Sequence, residues 1–192
     1  MKFVALFAGL PLLAAAAPTL PASGAFTAWA SDPGHHEIDH RPIQAAGLRF
    51  WVGGEPGTYC PSSIVNPCPP GKITAFVGGY ALWVEVPGGQ QVYVSPQGAL
   101  AFTQAHSANI PPGSSLGPFD YTPGIPFGQY TFTGWNANGF MACPDSKDDP
   151  NTWQVFANIK NATVPTGDID DCLPFLAKTQ AFYGPPNAWQ YV

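Results

Sequence analysis

The residues with the most evident chemical potential lie in His35-His36-Glu37-Ile38-Asp39-His40. Read as a strand running from His35 to Ile43, the segment puts His36 and His40 on one face. The strand rise then separates them by roughly 7 Å per pair of residues. Two imidazoles on one face, with His106 as a third donor, form a conceivable zinc or copper set. The spacing is not the HExxH of a helical zinc site, and a polar strand near an edge accounts for it equally well. No metal or other cofactor is therefore assigned. Glycoside hydrolysis would need two facing carboxylates. Asp145, Asp148 and Asp149 form one loop cluster, and Asp168, Asp170 and Asp171 another; both read as solvated turns, with calcium ligation as the less favoured alternative. Glu85 is a lone acid in an aromatic strand and reads as a solvent-face residue. There is no GxSxG nucleophile elbow, so no catalytic residue is assigned. Trp29, Trp51, Trp83, Trp135, Trp153 and Trp189 could stack on sugars, but the strand patterns around most of them point to a core.

Four cysteines, Cys60, Cys68, Cys143 and Cys172, have no zinc-type spacing. An even count in a secretory chain reads as two disulfides. Three connectivities are open, and linking sequence neighbours favours Cys60–Cys68 with Cys143–Cys172. The secretory reading rests on the N-terminus. Met1-Lys2 is a basic start, Phe3–Leu13 is apolar but too short to span a bilayer, and Ala14–Ala16 supplies small residues. Residues 1–16 are thus a predicted signal peptide, 17–24 a flexible lead-in, and 25–192 a single domain. In that compartment Asn161-Ala162-Thr163 is an N-glycosylation sequon, predicted on a surface loop. The C-terminus lacks the hydrophobic tail of a lipid-anchor signal, so no membrane anchor is expected.

These residues must be positioned by strands. The chain of 192 residues carries 23 prolines and 21 glycines, which interrupt helices and punctuate turns. Charged residues are only 10 %, and the seven lysines and arginines are scattered, so no nucleic-acid footprint exists. Ala81–Ser107 shows the pattern most clearly. Leu82, Val84 and Val86 alternate with Trp83 and Glu85, Pro87-Gly88-Gly89 turns the chain, and Gln91–Val94 resumes it. Ser95-Pro96-Gln97-Gly98 turns again before Ala99–Thr103. Further strands are predicted over Ala25–Ala30, Leu48–Val52, Lys72–Val77, Phe119–Thr122, Gln129–Thr133, Phe140–Cys143, Trp153–Ile159 and Trp189–Val192. Tyr59–Gly71 reads as a stapled loop, and Leu173–Phe182 as either a strand or a helical turn. About ten to twelve short strands with frequent turns predict an all-β domain, a sandwich or barrel, with a β-trefoil as the alternative.

Taken together, PGGQQVYVSPQGALAFTQAHS (87–107), GFMACP (139–144), WQVFANI (153–159) and GDIDDCLPF (167–175) resemble the fungal phiA-like cell-wall proteins. RPIQAAGLRFWVGG (41–54) and the cysteine-bearing stretch from TYCPSS (58–63) fit the same pattern. Many members carry the label IgE-binding protein. The resemblance implies a secreted, wall-associated, non-enzymatic protein of filamentous fungi, in a family linked to phialide and conidium development. It also implies that the four cysteines form structural disulfides. Wall polysaccharides or other wall proteins would be its partners. The alternative is a secreted carbohydrate-binding, host-interacting or allergen-like protein.

Overall fold

The computed structural model describes residues 24–147 and 151–192. The predicted signal peptide and most of the lead-in, as well as Asp148 and Asp149, lie outside the described residues.

The domain is all-β. Its strands are β1 (Ala25–Ser31), β2 (Ile43–Ala46), β3 (Arg49–Val52), β4 (Thr58–Tyr59), β5 (Phe76–Val77), β6 (Ala81–Leu82) and β7 (Gln90–Val94). They continue with β8 (Leu100–Phe102), β9 (Phe119–Thr122), β10 (Gly128–Phe132), β11 (Phe140–Pro144), β12 (Trp153–Ala157), β13 (Leu173–Ala181) and β14 (Gln190–Tyr191). Neighbours run β1-β5-β6-β7-β8-β3-β12-β11-β13, and β13 pairs back with β1. The antiparallel sheet thereby closes on itself, the barrel among the predicted forms. Closure leaves few open edges to manage. Strand β13 makes it possible. Leu176–Ala181 pair with β1 along one edge, while Leu173–Phe175 pair with β11 and Ala177–Thr179 with β10 along the other. LPFLAKTQA is therefore a strand: Phe175, Ala177 and Thr179 face inward and alternate with exposed Pro174, Leu176 and Gln180.

Aromatic rings fill the interior. Phe26 stacks on Phe76 at 5.3 Å, Phe76 on Phe50 at 5.3 Å, and Phe50 meets Phe102 edge-on. Tyr130, Phe132 and Phe140 continue the series, all at most 1 % exposed. Each buried ring contributes about 1.5–3 kcal/mol of transfer free energy. Two polar bridges tie distant segments inside this core. Gln90 Nε2 donates to Thr103 O and Tyr191 O, and its Oε1 accepts from Tyr191 N–H at 2.8 Å. Tyr191 Oη donates to Ile73 O at 2.8 Å and accepts from Ala75 N–H. The C-terminus is thus fastened to the central hairpins, while β14 pairs with β4 in a small second sheet.

Two sequence expectations are corrected. The stretch His35–Ile43 is a compact turn over 36–40 followed by β2, not one strand. Local hydrogen bonds override the alternation. Asp39 accepts from Asp32 N–H at 2.8 Å, Asp32 accepts from Gly34 N–H, and Ile38 and Asp39 N–H both donate to His35 O. Ile38, fully buried, anchors the turn to the core. The predicted strand through Leu82–Val86 stops at Leu82. Beyond it, Val84 bridges Ala188, and the backbone N–H groups of Glu85 and Val86 donate to Ala188 and Trp189. The C-terminal segment takes the bonds that the next hairpin strand would otherwise have taken.

Candidate functional site

A groove of about 720 Å³ lies over Met141 of β11 and Pro174 of β13. Its base is Met141 and the Cys143–Cys172 crosslink, which rest on a small outer cluster with Ala99, Phe156 and Val164. The register explains the crosslink. Phe140, Met141 and Ala142 face Phe175, Pro174 and Leu173, so Cys143 and Cys172 fall next in line, with Cα atoms 4.2 Å apart.

One wall is the 3-10 turn Gly134–Asn136 that follows β10. Trp135 holds φ 54° and ψ 30°, and Asn136 holds φ 58°. Two successive side-chain-bearing residues in the left-handed region are uncommon, and for a bulky aromatic the conformation costs roughly 1–2 kcal/mol. Packing enforces it. Phe132 lies edge-on to the indole at 6.0 Å, and the absent Cβ of Gly134 leaves the space that the Phe132 ring and Gly117 O occupy. The indole is left 44 % exposed at the rim. The turn after β12 also lines the groove, with Lys160 and Asn161 exposed. Asn138 and Asn158 line it too, held together by Asn138 N–H donating to Asn158 O and Asn158 Nδ2 donating to Asn138 O at 3.3 Å. Asp170, in the 3-10 turn Ile169–Asp171, is a further lining residue; Asp168 caps that turn by accepting from Asp170 N–H at 3.0 Å.

This is an aromatic plane among amides, with Lys160 and Asp170 as its charged lining residues. Such a surface can stack on an apolar face and hydrogen-bond to hydroxyl and acetamido groups. Asp170 is the one carboxylate among the described lining residues, so the groove does not present the facing acid pair of a glycosidase.

The other predicted residues fall elsewhere. His35 and His40 each hydrogen-bond a turn carboxylate, Asp32 at 2.7 Å and Asp39 at 2.6 Å, and His36 is exposed. His106 sits in a separate exposed turn. Among the described residues no group of three or more histidines, cysteines or acids could hold a metal ion. Desolvation pushes the Asp39 carboxyl up, but hydrogen bonds from Asp32 N–H and His40 outweigh it and hold it below its ordinary 3.8. Glu85 is exposed and outside any strand. Asp171 pairs with Lys147 at 3.8 Å. Of the six tryptophans, Trp153 is buried, Trp29, Trp51, Trp83 and Trp189 are half-buried, and Trp135 alone is exposed. The cysteines pair as Cys60–Cys68 and Cys143–Cys172. The sequon residues Asn161 and Thr163 lie exposed on a surface turn. Sequence reasoning gave Asn136, Asn138, Asn158 and Lys160 no role; nothing in the linear chain shows that they share a groove.

A family model described as PhiA-like secreted protein matches residues 26–192. This chain belongs to the PhiA-like secreted protein family. The match spans the whole barrel, from the second residue of β1 to the C-terminus. A relative from Arthroderma benhamiae, described as an uncharacterized secreted protein, is 50 % identical over 186 residues, covering 95 % of this chain and 94 % of its own. No solved structure matches. This PhiA-like protein is therefore a secreted one, in agreement with its two disulfides.

Proposed function

We propose that this PhiA-like protein is a non-enzymatic structural component of the fungal cell wall or surface, serving phialide and conidium development. The observation that carries the reading is the make-up of the Trp135 groove. Its exposed indole and amides suit holding a sugar, and its described lining residues include one carboxylate rather than the acid pair of sugar cleavage. The closed, disulfide-bonded barrel suits persistence outside the cell. Wall polysaccharides or neighbouring wall proteins are its partners. Locating a tagged protein in wall, medium and spore fractions tests this. Retention in the wall fraction is expected, and a clean medium-only distribution overturns it. A second reading, a secreted carbohydrate-binding protein directed at a host or free glycans, is favoured by the exposed Trp135 ring. Saturable binding to chitin, β-glucan or mannan that Trp135→Ala abolishes, without wall retention, would replace the first reading.

A further inference from the structure

The sequon and the strained tryptophan, remote in sequence, line the same groove. Asn161 is exposed in the turn after β12, and Thr163 is exposed two residues on, so the acceptor is open to a glycosyltransferase. The turn is pinned from behind. Thr163 N–H donates to Gln97 O at 2.9 Å, and Ala162 N–H donates to Ile159 O. Its position beside the groove is thus fixed by the barrel. We propose that this groove is the seat of the first N-acetylglucosamine of a glycan carried on Asn161, with the Trp135 indole stacked on the sugar's apolar face.

Glycan attachment itself is ordinary secretory chemistry. Asn161 Nδ2 attacks C1 of a lipid-pyrophosphate-linked oligosaccharide. A C–N bond forms, the C–O bond to pyrophosphate breaks, the electron pair leaves with the pyrophosphate, and one amide proton is released. What the structure adds is where the sugar then goes. A pyranose presents C–H bonds on one face and polar groups on its rim, which matches an indole flanked by Asn136, Asn138 and Asp170. The backbone strain at Trp135 keeps a large apolar ring at the rim, and such strain persists where it serves a site. A tether supplies an effective concentration on the order of millimolar, so weak intrinsic affinity suffices. The tether also decides the source of the sugar. A glycan on Asn161 begins inside the groove and occupies the space that a free saccharide would need. The inference requires secretion and does not require the wall role.

The test uses the full chain from a eukaryotic secretory host, trimmed by an endoglycosidase to a single N-acetylglucosamine, beside Asn161→Gln. Oxidative footprinting read by mass spectrometry should find Trp135 oxidised roughly two-fold or more slowly in the sugar-bearing protein, since stacking covers one ring face. Tyr183, exposed and outside the groove, should be unchanged. The acetyl methyl proton signal should move upfield by ring current, a readout that needs no variant. Trp135→Ala should lower Tm more in the glycosylated protein than in the Asn161→Gln background. An intact mass without sugar overturns the proposal, as do equal oxidation rates with an unshifted acetyl signal. Protection of Trp135 by N,N′-diacetylchitobiose in Asn161→Gln, with none from the attached sugar, overturns it in favour of an open saccharide site. Failure of wall retention leaves all these readouts unmoved, so the two proposals fail separately.

Discussion

Single side chains in this barrel act as joints between segments far apart in sequence. Tyr130 is fully buried, and its Oη donates to Gly79 O at 2.7 Å, fixing β10 over the β5–β6 turn. Tyr130→Phe should cost roughly 1–2 kcal/mol, because a buried carbonyl loses its donor while packing is kept. Denaturant titration with an unchanged m-value would confirm the loss. Tyr191 gives a pH signature. Burial pushes its phenol up to about 12 from 10.0, a shift that bonds from the Ala75 backbone and Thr74 only reduce. Above pH 10.0 the unfolded chain therefore binds fewer protons than the folded one. Stability should be whole below 10.0 and fall as pH rises towards 12. Tm measured against pH should show that alkaline limb, with tyrosinate absorbance appearing together with unfolding. Tyr191→Phe should make it shallower, with the share from Tyr130, whose phenol burial also pushes up, remaining.

At the scale of elements, the two most informative pieces are a turn and a crosslink. The 32–40 turn exists because short acidic side chains bind its backbone, and Asp39 is its keystone. Its carboxyl releases its proton more readily folded than unfolded, so its contribution is present above 3.8 and lost as pH falls through the depressed folded value. Asp39→Asn should weaken the acid limb of the stability curve, measured by Tm across acidic pH. The Cys143–Cys172 bridge closes a loop of 29 residues between β11 and β13. Replacing both cysteines with alanine should cost roughly 3–4 kcal/mol by the loop-entropy estimate. It should also loosen the groove floor, with faster amide exchange across 160–171 as the readout. Both elements were partly legible in sequence. Neighbour pairing of cysteines follows from chain proximity. The His35–Ile43 segment misled because its apolar-polar alternation also suits a turn whose one large apolar residue, Ile38, points inward.

For the whole molecule, ring closure makes distant segments depend on one another. Strand β1 is held by β5 and β13, and the terminal β14 by β4 with Gln90 and Tyr191 as the lock. Deleting Gln190–Val192 should cost roughly 3–5 kcal/mol, because it empties the Tyr191 site and strands the polar groups of Gln90. A single cooperative thermal transition, shifted down as one unit, is expected. A separate low-temperature step confined to the C-terminus would contradict that coupling.

The sequence by itself determined the class of this protein. Its glycines, prolines and short apolar alternations allow strands and turns and disfavour helices. The ordered blocks, with their cysteines, carry the family resemblance that the match over 26–192 bears out. Local pattern also placed Phe119–Thr122, β7 and β11 within a residue or two. Tertiary structure alone decided that the sheet closes, because β13 bonds along both edges and nothing in LPFLAKTQA says which partners it will meet. It alone chose between core and surface for the six tryptophans. Turn geometry around Gly134 leaves Trp135 outside while its neighbour Phe132 goes in. Trp135 and Asn161 come to line one groove only because β11, β12 and β13 are hydrogen-bonded side by side. The cause is long-range pairing, which no residue pattern along the chain encodes locally.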